Sequence, residues 1–194
     1  GSVLISRDQG ESWQAAEIGA PVSSLTWDGA GTLYAGTRGQ GIYRLGSDGS
    51  PVSIVAAGSP LGEASIVALA EANGRLFAAT LAVVYYTDSA AAGSAAEWLE
   101  TAPLDGWITA LVAVDPAVLY AGTATTGVLL TTDAGQIWEP TNEGLGLAAG
   151  QMVNVTAVRL DAREPGVLYT TVDHVLGATE VHSSAAGAFV SLDG

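Results

Sequence analysis

Four side chains that could do chemistry fall within one segment of the sequence, residues 172–187. Asp173, His174, Glu180 and His182 combine two imidazoles with two carboxylates, the groups that bind transition metals or exchange protons in acid–base catalysis. Their D-H-x7-H spacing matches no metal-ligand signature, so we expect neither a metal nor a cofactor. The segment is expected to form a long loop that protects a strand edge or contacts a partner.

A second group of polar residues occurs twice, in SRDQGESW (6–13) and TTDAGQIW (131–138). An enzyme rarely repeats an active site within one chain, so we interpret the motif as a structural turn. Aspartate can accept backbone N–H bonds across a turn, and glycine tolerates positive φ. The tryptophan is expected to bury its ring against a neighbouring unit. The structural residues predicted in the full and degenerate copies are Ser6, Asp8, Gly10, Trp13, Asp48, Asp88, Trp98, Asp133, Gly135, Trp138 and Asp193.

These turns belong to a longer repeat. LYAGT at 33, LFAAT at 76, LYAGT at 119 and LYTTV at 168 start 43, 43 and 49 residues apart. Each repeat also contains three further short apolar runs, which predicts four antiparallel strands, A to D, per unit. A unit of this length and composition is typical of a β-propeller. We therefore predict an all-β chain with about four blades, 1–194 being one propeller domain or a propeller segment.

Composition narrows the possible partners. The 194 residues carry a net charge of −14, with 20 acids against six cations, all arginine, and no cysteine. Such a surface is unsuited to nucleic acid, which requires clustered cations. No apolar run approaches the roughly 18 residues of a membrane span, so we expect no membrane insertion.

The spacing S-x-D-x-G-x-x-W, together with LYAGT, resembles the Asp-box (BNR) repeat. That repeat is found in sialidases, sortilin-type receptors, two-domain xyloglucanases and photosystem II assembly factors. The resemblance implies that the Asp-box turns lie on the periphery, away from the ligand face, and that the protein is extracellular or periplasmic. Sialidase chemistry would need an arginine cluster. Only Arg38 and Arg159 fall near the expected ligand side, so we do not expect this activity.

In a propeller, the B–C and D–A connections share the face opposite those turns. The candidate ligand face therefore comprises Arg38, Asp105, Trp107, Asp173, His174, Glu180 and His182. We expect a non-catalytic binding or scaffold module with a protein or glycan ligand. Two alternatives stay open: a fragment of a glycan-active propeller enzyme, and an excised or designed fragment that assembles as a homo-oligomer. The sequence starts with strands C and D and ends with A, B and C, which favours a segment of a larger propeller or exposed end strands that pair with another copy. A self-closed ring of four blades is the alternative.

Overall fold

The computed structural model describes residues 1–56, 58–88, 96–145, 152–164, 166–176, 181–182 and 187–191, with backbone alone at 174–176 and 181–182. The regular elements in these ranges are all β-strands. They are β1 Ser2–Ile5, β2 Gln14–Glu17, β3 Val22–Trp27, β4 Leu33–Thr37, β5 Ile42–Leu45, β6 Pro51–Ser53, β7 Ala68–Ala72, β8 Arg75–Ala79, β9 Val84–Thr87, β10 Leu99–Glu100, β11 Ile108–Ala113, β12 Leu119–Thr123, β13 Val128–Thr131, β14 Glu139–Pro140, β15 Met152–Leu160, β16 Leu168–Leu176, β17 Val181–His182 and β18 Gly187–Ser191.

The strands form four antiparallel sheets and one hairpin. Sheet I contains β3–β6, sheet II β7–β10 and sheet III β11–β14, each in sequence order. Sheet IV is built on β15 and β16, and the hairpin is β1–β2. The predicted four-stranded, all-β units are confirmed, and both LYAGT runs are strands over their whole length, Leu33–Thr37 and Leu119–Thr123. The outermost strands are shorter than predicted: EWLETA contributes Leu99–Glu100 and IWEPTN contributes Glu139–Pro140.

The segment 172–187 differs from the predicted long loop. β16 continues through it to Leu176, and β17 pairs with this extension in the register Leu176↔Val181. β18 then pairs with the first half of β16, from Leu168↔Ser191 to Val172↔Gly187. The runs VDHVL and EVH contain β-branched valines, which suit a pleated strand. The insertion therefore lengthens the sheet.

The chain divides into two compact units. Unit 1 comprises 1–80 and 85–100, and unit 2 comprises 81–84 and 101–194. In unit 1, one apolar cluster lies between the hairpin and sheet I and another between sheets I and II. In unit 2, the main cluster lies between sheets III and IV and includes Tyr120, Val155 and Leu168. The cores are thus formed between the faces of successive sheets.

A β-bulge on the first strand of sheets I and III helps to join these faces. The register shifts at Ser23 and Thr109, leaving each as the extra residue of its strand. The Ser23 hydroxyl donates to the Ile66 carbonyl at the start of sheet II. Likewise, Thr109 Oγ1 donates to the Val155 carbonyl of sheet IV at 2.6 Å. At each of these two interfaces, the hydroxyl of the bulge residue therefore helps to fix the position of the next sheet.

Candidate functional site

The two complete copies of the repeated motif have the same geometry. Ser6 Oγ donates to Asp8 Oδ1 at 2.8 Å and accepts the Gly10 N–H at 2.7 Å. Thr131 Oγ1 does the same with Asp133 and Gly135, at 2.8 and 2.9 Å. In both turns the two residues after the aspartate have positive φ, 59° and 96° in the first and 61° and 87° in the second.

Each of these carboxylates also accepts backbone N–H groups on the far side of its turn. Asp8 accepts from Ser12, and Asp133 accepts from Gln136 and Ile137 at 2.9 and 3.0 Å. The Ser12 hydroxyl and N–H, followed by the Ser6 hydroxyl, lower the pKa of Asp8 from 3.8 to about 2. Donors aimed at the charged form explain this direction. Among the described residues, the hydrogen bonds of each of these two carboxylates stay within its own turn.

The degenerate copies are held differently. Asp48 accepts the Ser50 N–H at 2.9 Å in a tighter turn. Asp88 forms a two-point ion pair with Arg75, at 2.6 Å from Nε and 2.8 Å from Nη2. The hydrogen bonds to Arg75 lower the pKa of Asp88. Asp193 lies outside the described residues.

The motif tryptophans are not equally covered. Trp98 is half-buried in the core between sheets I and II, where Nε1 donates to the Ile54 carbonyl at 3.2 Å. Trp138 is half-buried, and its Nε1 has no hydrogen-bond partner among the described residues. Trp13 is 60% exposed, so the expectation of a buried ring is wrong for this residue. β1–β2 is the first sheet of the sequence, and the described residues contain no earlier sheet on which Trp13 could pack as Trp98 packs on sheet I.

The predicted ligand-face residues of unit 2 lie on connected backbone. Trp107 is 68% exposed, and its carbonyl accepts the N–H of Ala124 at 2.8 Å. A Cβ added at the neighbouring Gly106 would lie 2.7 Å from Thr125 Oγ1 and 2.9 Å from Thr126 Oγ1. The turn that carries Asp105 and Trp107 is therefore pressed against the β12–β13 turn.

This surface continues onto sheet IV. Val153 donates its N–H to the Thr125 carbonyl at 3.0 Å, and the next residue, Asn154, pairs with His174. Because Val155 pairs with Val172, Asp173 is an extra residue on β16, and its side chain is exposed. We call this surface the unit 2 loop face; its members are Asp105, Trp107, Thr125, Thr126, Met152, Asn154 and Asp173.

The predicted residues Arg38, His182 and Glu180 are not members of the unit 2 loop face. Arg38 is exposed in unit 1, where its N–H bonds the Pro21 carbonyl at 2.9 Å. His182 lies on β17, opposite Val175. Glu180 lies outside the described residues. Across the part of the chain that the structure describes, no three His, Asp or Glu side chains are grouped so as to hold a metal.

The two threonines and Met152 were missed by the sequence reasoning. A detectable signal was present, because TRGQG (37–41) and TATTG (123–127) share a T-x3-G pattern. In both turns the threonine hydroxyl donates to the glycine carbonyl, at 2.8 and 2.9 Å, and accepts the N–H three residues later. The pattern thus sets a B–C turn whose middle residues face outward. Met152 is 46% exposed beside them and carried no sequence signal.

The loop face presents an aromatic ring, hydroxyls, an amide, a thioether and two carboxylates. An exposed aromatic surrounded by a few polar groups suits recognition of a glycan or peptide by stacking and hydrogen bonding. Asp105 and Asp173 are both exposed, whereas a catalytic acid of a glycosidase is held protonated by burial. These two carboxylates therefore lack the burial of such an acid.

Solved structures show the class of fold. The GH74 enzyme of Niastella koreensis superposes with a TM-score of 0.65 at 15% identity, over 92% of this chain and 29% of that chain. The structure of YCF48 bound to D1 peptide superposes with a TM-score of 0.62 at 14% sequence identity, over 89% of this chain and 55% of that chain. The computationally designed Ika4 protein superposes with a TM-score of 0.59 at 12% sequence identity, over 92% of this chain and 94% of that chain. These neighbours are β-propeller proteins, and the chain has the same all-β, blade-like fold.

This similarity concerns the fold alone. The chain spans less than a third of the GH74 enzyme and just over half of the YCF48 chain. No protein-family model matches the sequence. A search of curated proteins likewise finds no significant match. No helix in the described ranges is long and apolar enough to cross a membrane.

Proposed function

We propose that the chain is a non-catalytic β-propeller module that binds a protein or glycan ligand through the unit 2 loop face. The observation that carries the proposal is Trp107, 68% exposed on a turn whose Gly106 lies close to Thr125 and Thr126. An indole this exposed contributes little to the core, whereas it offers a large flat surface to a ligand. Two propeller neighbours support these ligand classes. YCF48 was solved with a bound peptide, and the GH74 enzyme supports a glycan ligand.

Trp27 provides a matched control for this role. It is 69% exposed but lies at the end of β3, beside the A–B turn of sheet I. The A–B and B–C turns lie at opposite ends of a blade's strands. A ligand of the loop face should therefore depend on Trp107 and be indifferent to Trp27.

The proposal is tested by screening the chain on glycan and peptide arrays and titrating the best ligand by calorimetry. Trp107→Ala should weaken binding at least tenfold, while Trp27→Ala should leave it unchanged. Equal losses for both variants, or full affinity after Trp107→Ala, would contradict the proposed face. Hydrolysis of a bound glycan by the wild-type chain would instead support the alternative of a glycan-active fragment.

We also propose that 1–194 is one propeller segment and that a neighbouring copy covers the outer face of sheet IV. The tyrosine at the second position of strand B supports this. Tyr34 is 3% exposed beneath sheet II and Tyr120 is 6% exposed beneath sheet IV, whereas Tyr169 is 44% exposed. Tyr169 keeps the same bond to its turn aspartate, with its hydroxyl 3.2 Å from Asp161 Oδ2, as Tyr34 does with Asp28. Sheet IV thus presents the face that other sheets use for packing.

Light scattering across a concentration series tests this second proposal. We expect a discrete oligomer whose formation strengthens with added salt, because copies of charge −14 repel one another. Tyr169→Lys should dissociate it, and Trp27→Lys should not. A monomer at every concentration and salt level would refute it. Following the Asp-box resemblance, we propose an extracellular or periplasmic location, which fractionation of the source cells would check.

A further inference from the structure

Two carboxylates at the unit 2 loop face have no partner among the described residues. Asp105 on this face and Glu143 beside it are both exposed, and neither carboxylate there accepts a hydrogen bond or forms an ion pair. We propose that the ligand of this face is a basic peptide, with a lysine or arginine side chain lying against the indole ring of Trp107. The inference rests on the proposed function of the same face and names the class of its partner.

The aspartates at the opposite end of the unit 2 strands are used differently. Asp115 accepts two backbone N–H groups of its own turn at 2.7 and 2.9 Å. Asp161 accepts two at 2.7 and 3.2 Å, and Asp133 accepts two within its motif turn. These carboxylates stabilise turns, because backbone donors of the turn satisfy their charge. In the described part of unit 2, Asp105 and Glu143 have no such structural task.

The β12–β13 turn connects the two carboxylates. In sheet III, β11 and β14 lie on opposite sides of the β12–β13 hairpin, and Asp105 precedes β11 whereas Glu143 follows β14. A Cβ added at Gly106 would lie 2.9 Å from Thr126 Oγ1. Asn142 Nδ2 donates to the Thr126 carbonyl at 2.8 Å. The segments that carry the two carboxylates are therefore both held against one turn.

Exposed apolar side chains accompany these charges. Leu81 is exposed, and its carbonyl accepts the N–H of Ile108, the residue after Trp107, at 2.8 Å. Met152 is exposed on the other neighbour of the β12–β13 turn, because the next residue donates its N–H to the Thr125 carbonyl. A ligand that covers this surface must offer apolar groups as well as a charge. A peptide that mixes cationic and apolar side chains meets both conditions.

The charge of unit 2 favours a cation over the other ligands. Its sequence, 81–84 and 101–194, contains ten acids and two arginines. Arg159 lies toward the end of β15 that is remote from the loop face, and Arg163 lies in the turn that follows. The face of an indole attracts ammonium and guanidinium groups, and carboxylates accept strong hydrogen bonds from them. An acidic ligand would be repelled, and a neutral glycan would gain no attraction from these charges.

Two matched synthetic peptides test the class of ligand. One alternates lysine with leucine, and the other alternates glutamate with leucine. In calorimetry on the full chain, the lysine peptide should bind at least tenfold more tightly than the glutamate peptide. Its affinity should fall at least fivefold between about 0.1 and 1 M NaCl, because the Debye length shortens from about 10 to about 3 Å. Equal affinities, or tighter binding of the glutamate peptide, would overturn the inference.

Protein variants locate the binding surface. Asp105→Asn and Glu143→Gln should each weaken the lysine peptide at least twofold, whereas Glu164→Gln should not. Glu164 is the matched control, because it is exposed in the turn between β15 and β16, at the other end of the strands. Trp107→Leu keeps an apolar side chain without a π face, so it should weaken the lysine peptide at least fivefold. An equal loss for Glu164→Gln would show unspecific attraction to an acidic surface and refute the inference.

The neutral glucan cellohexaose separates this inference from the proposed function. Binding of cellohexaose that is lost in Trp107→Ala, without binding of the lysine peptide, would refute the basic partner and leave the binding role of the face intact. If neither ligand depends on Trp107, the loop face is not the binding surface and both proposals are wrong. Binding of the lysine peptide that is lost in Trp107→Ala, with weaker or no binding of cellohexaose, is the expected result.

Discussion

Replacing Gly122 with alanine should destabilise unit 2 by about 2 kcal/mol. A Cβ added at this position would lie 2.6 Å from Val155 Cγ1 and 3.1 Å from Val158 Cγ2. Non-bonded carbons normally approach to about 3.5–4.0 Å, so Val155 would have to move by roughly 1 Å. Val155 and Val158 are both fully buried, and overpacking of this kind costs about 1–3 kcal/mol.

Thermal unfolding followed by circular dichroism measures the effect. For a chain of this size, about 2 kcal/mol corresponds to a fall in Tm of about 4–8 °C. Gly29→Ala is the matched control, because nothing lies within 4 Å of its added Cβ and no positive φ is found there. It should leave Tm unchanged or slightly higher.

A double-mutant cycle separates steric overlap from any other cause. Val155→Ala removes the clashing methyl groups and should alone cost roughly 2 kcal/mol. Combined with Gly122→Ala, it should cost at least about 1 kcal/mol less than the two single changes added together. Additive costs, or a Gly122→Ala variant as stable as the wild type, would refute the packing argument.

Three further predictions concern single side chains. The pKa of Asp8 is lowered to about 2, so its contribution to the free energy of unfolding is complete above about pH 4 and is lost as the pH falls toward 2. Asp8→Asn should therefore flatten this part of the curve of stability against pH, measured by urea unfolding. Tyr34→Phe should cost about 1 kcal/mol in the same assay through loss of a buried hydroxyl bond, whereas the exposed Tyr169→Phe should change nothing measurable. Trp98→Phe should cost about 1–2 kcal/mol by removing the N–H donor, and Trp13→Phe should leave the unfolding midpoint where it is.

Much of the fold follows from the repeat in the sequence. The two LYAGT strands match the predicted bounds because a continuous run of apolar and small residues specifies a strand buried on both faces. The outer strands were predicted too long, since EWLETA and IWEPTN continue the alternation beyond the residues that actually pair. Pro140 also lacks the N–H needed to extend a ladder.

The segment 172–187 shows where pattern reasoning fails. Its mixture of charged, small and β-branched residues has no clear period, so an extended hairpin could not be distinguished from a loop. The pairing of β16 with β18, from Val172↔Gly187 to Leu168↔Ser191, joins residues far apart in sequence, which a local pattern does not encode.

The candidate site was predicted only in part. Asp105, Trp107 and Asp173 were identified because exposed polar and aromatic residues between strands suggest a binding face. Thr125 and Thr126 join that face through the close approach of Gly106, a contact between two loops that only the folded chain reveals. Asp48 and Asp88 were both predicted from the same degenerate motif, yet they form different contacts. Asp48 closes a tight turn, whereas Asp88 pairs with Arg75.

The bulge hydroxyls of Ser23 and Thr109 have a consequence for how such a protein can grow. Each one connects a sheet to its immediate successor in sequence, so the joint is carried entirely by two adjacent repeats. Duplicating the repeat that contains Ser23 or the one that contains Thr109 would reproduce this hydroxyl contact along with the strands. Tandem copying can therefore extend this architecture without any compensating change elsewhere in the gene.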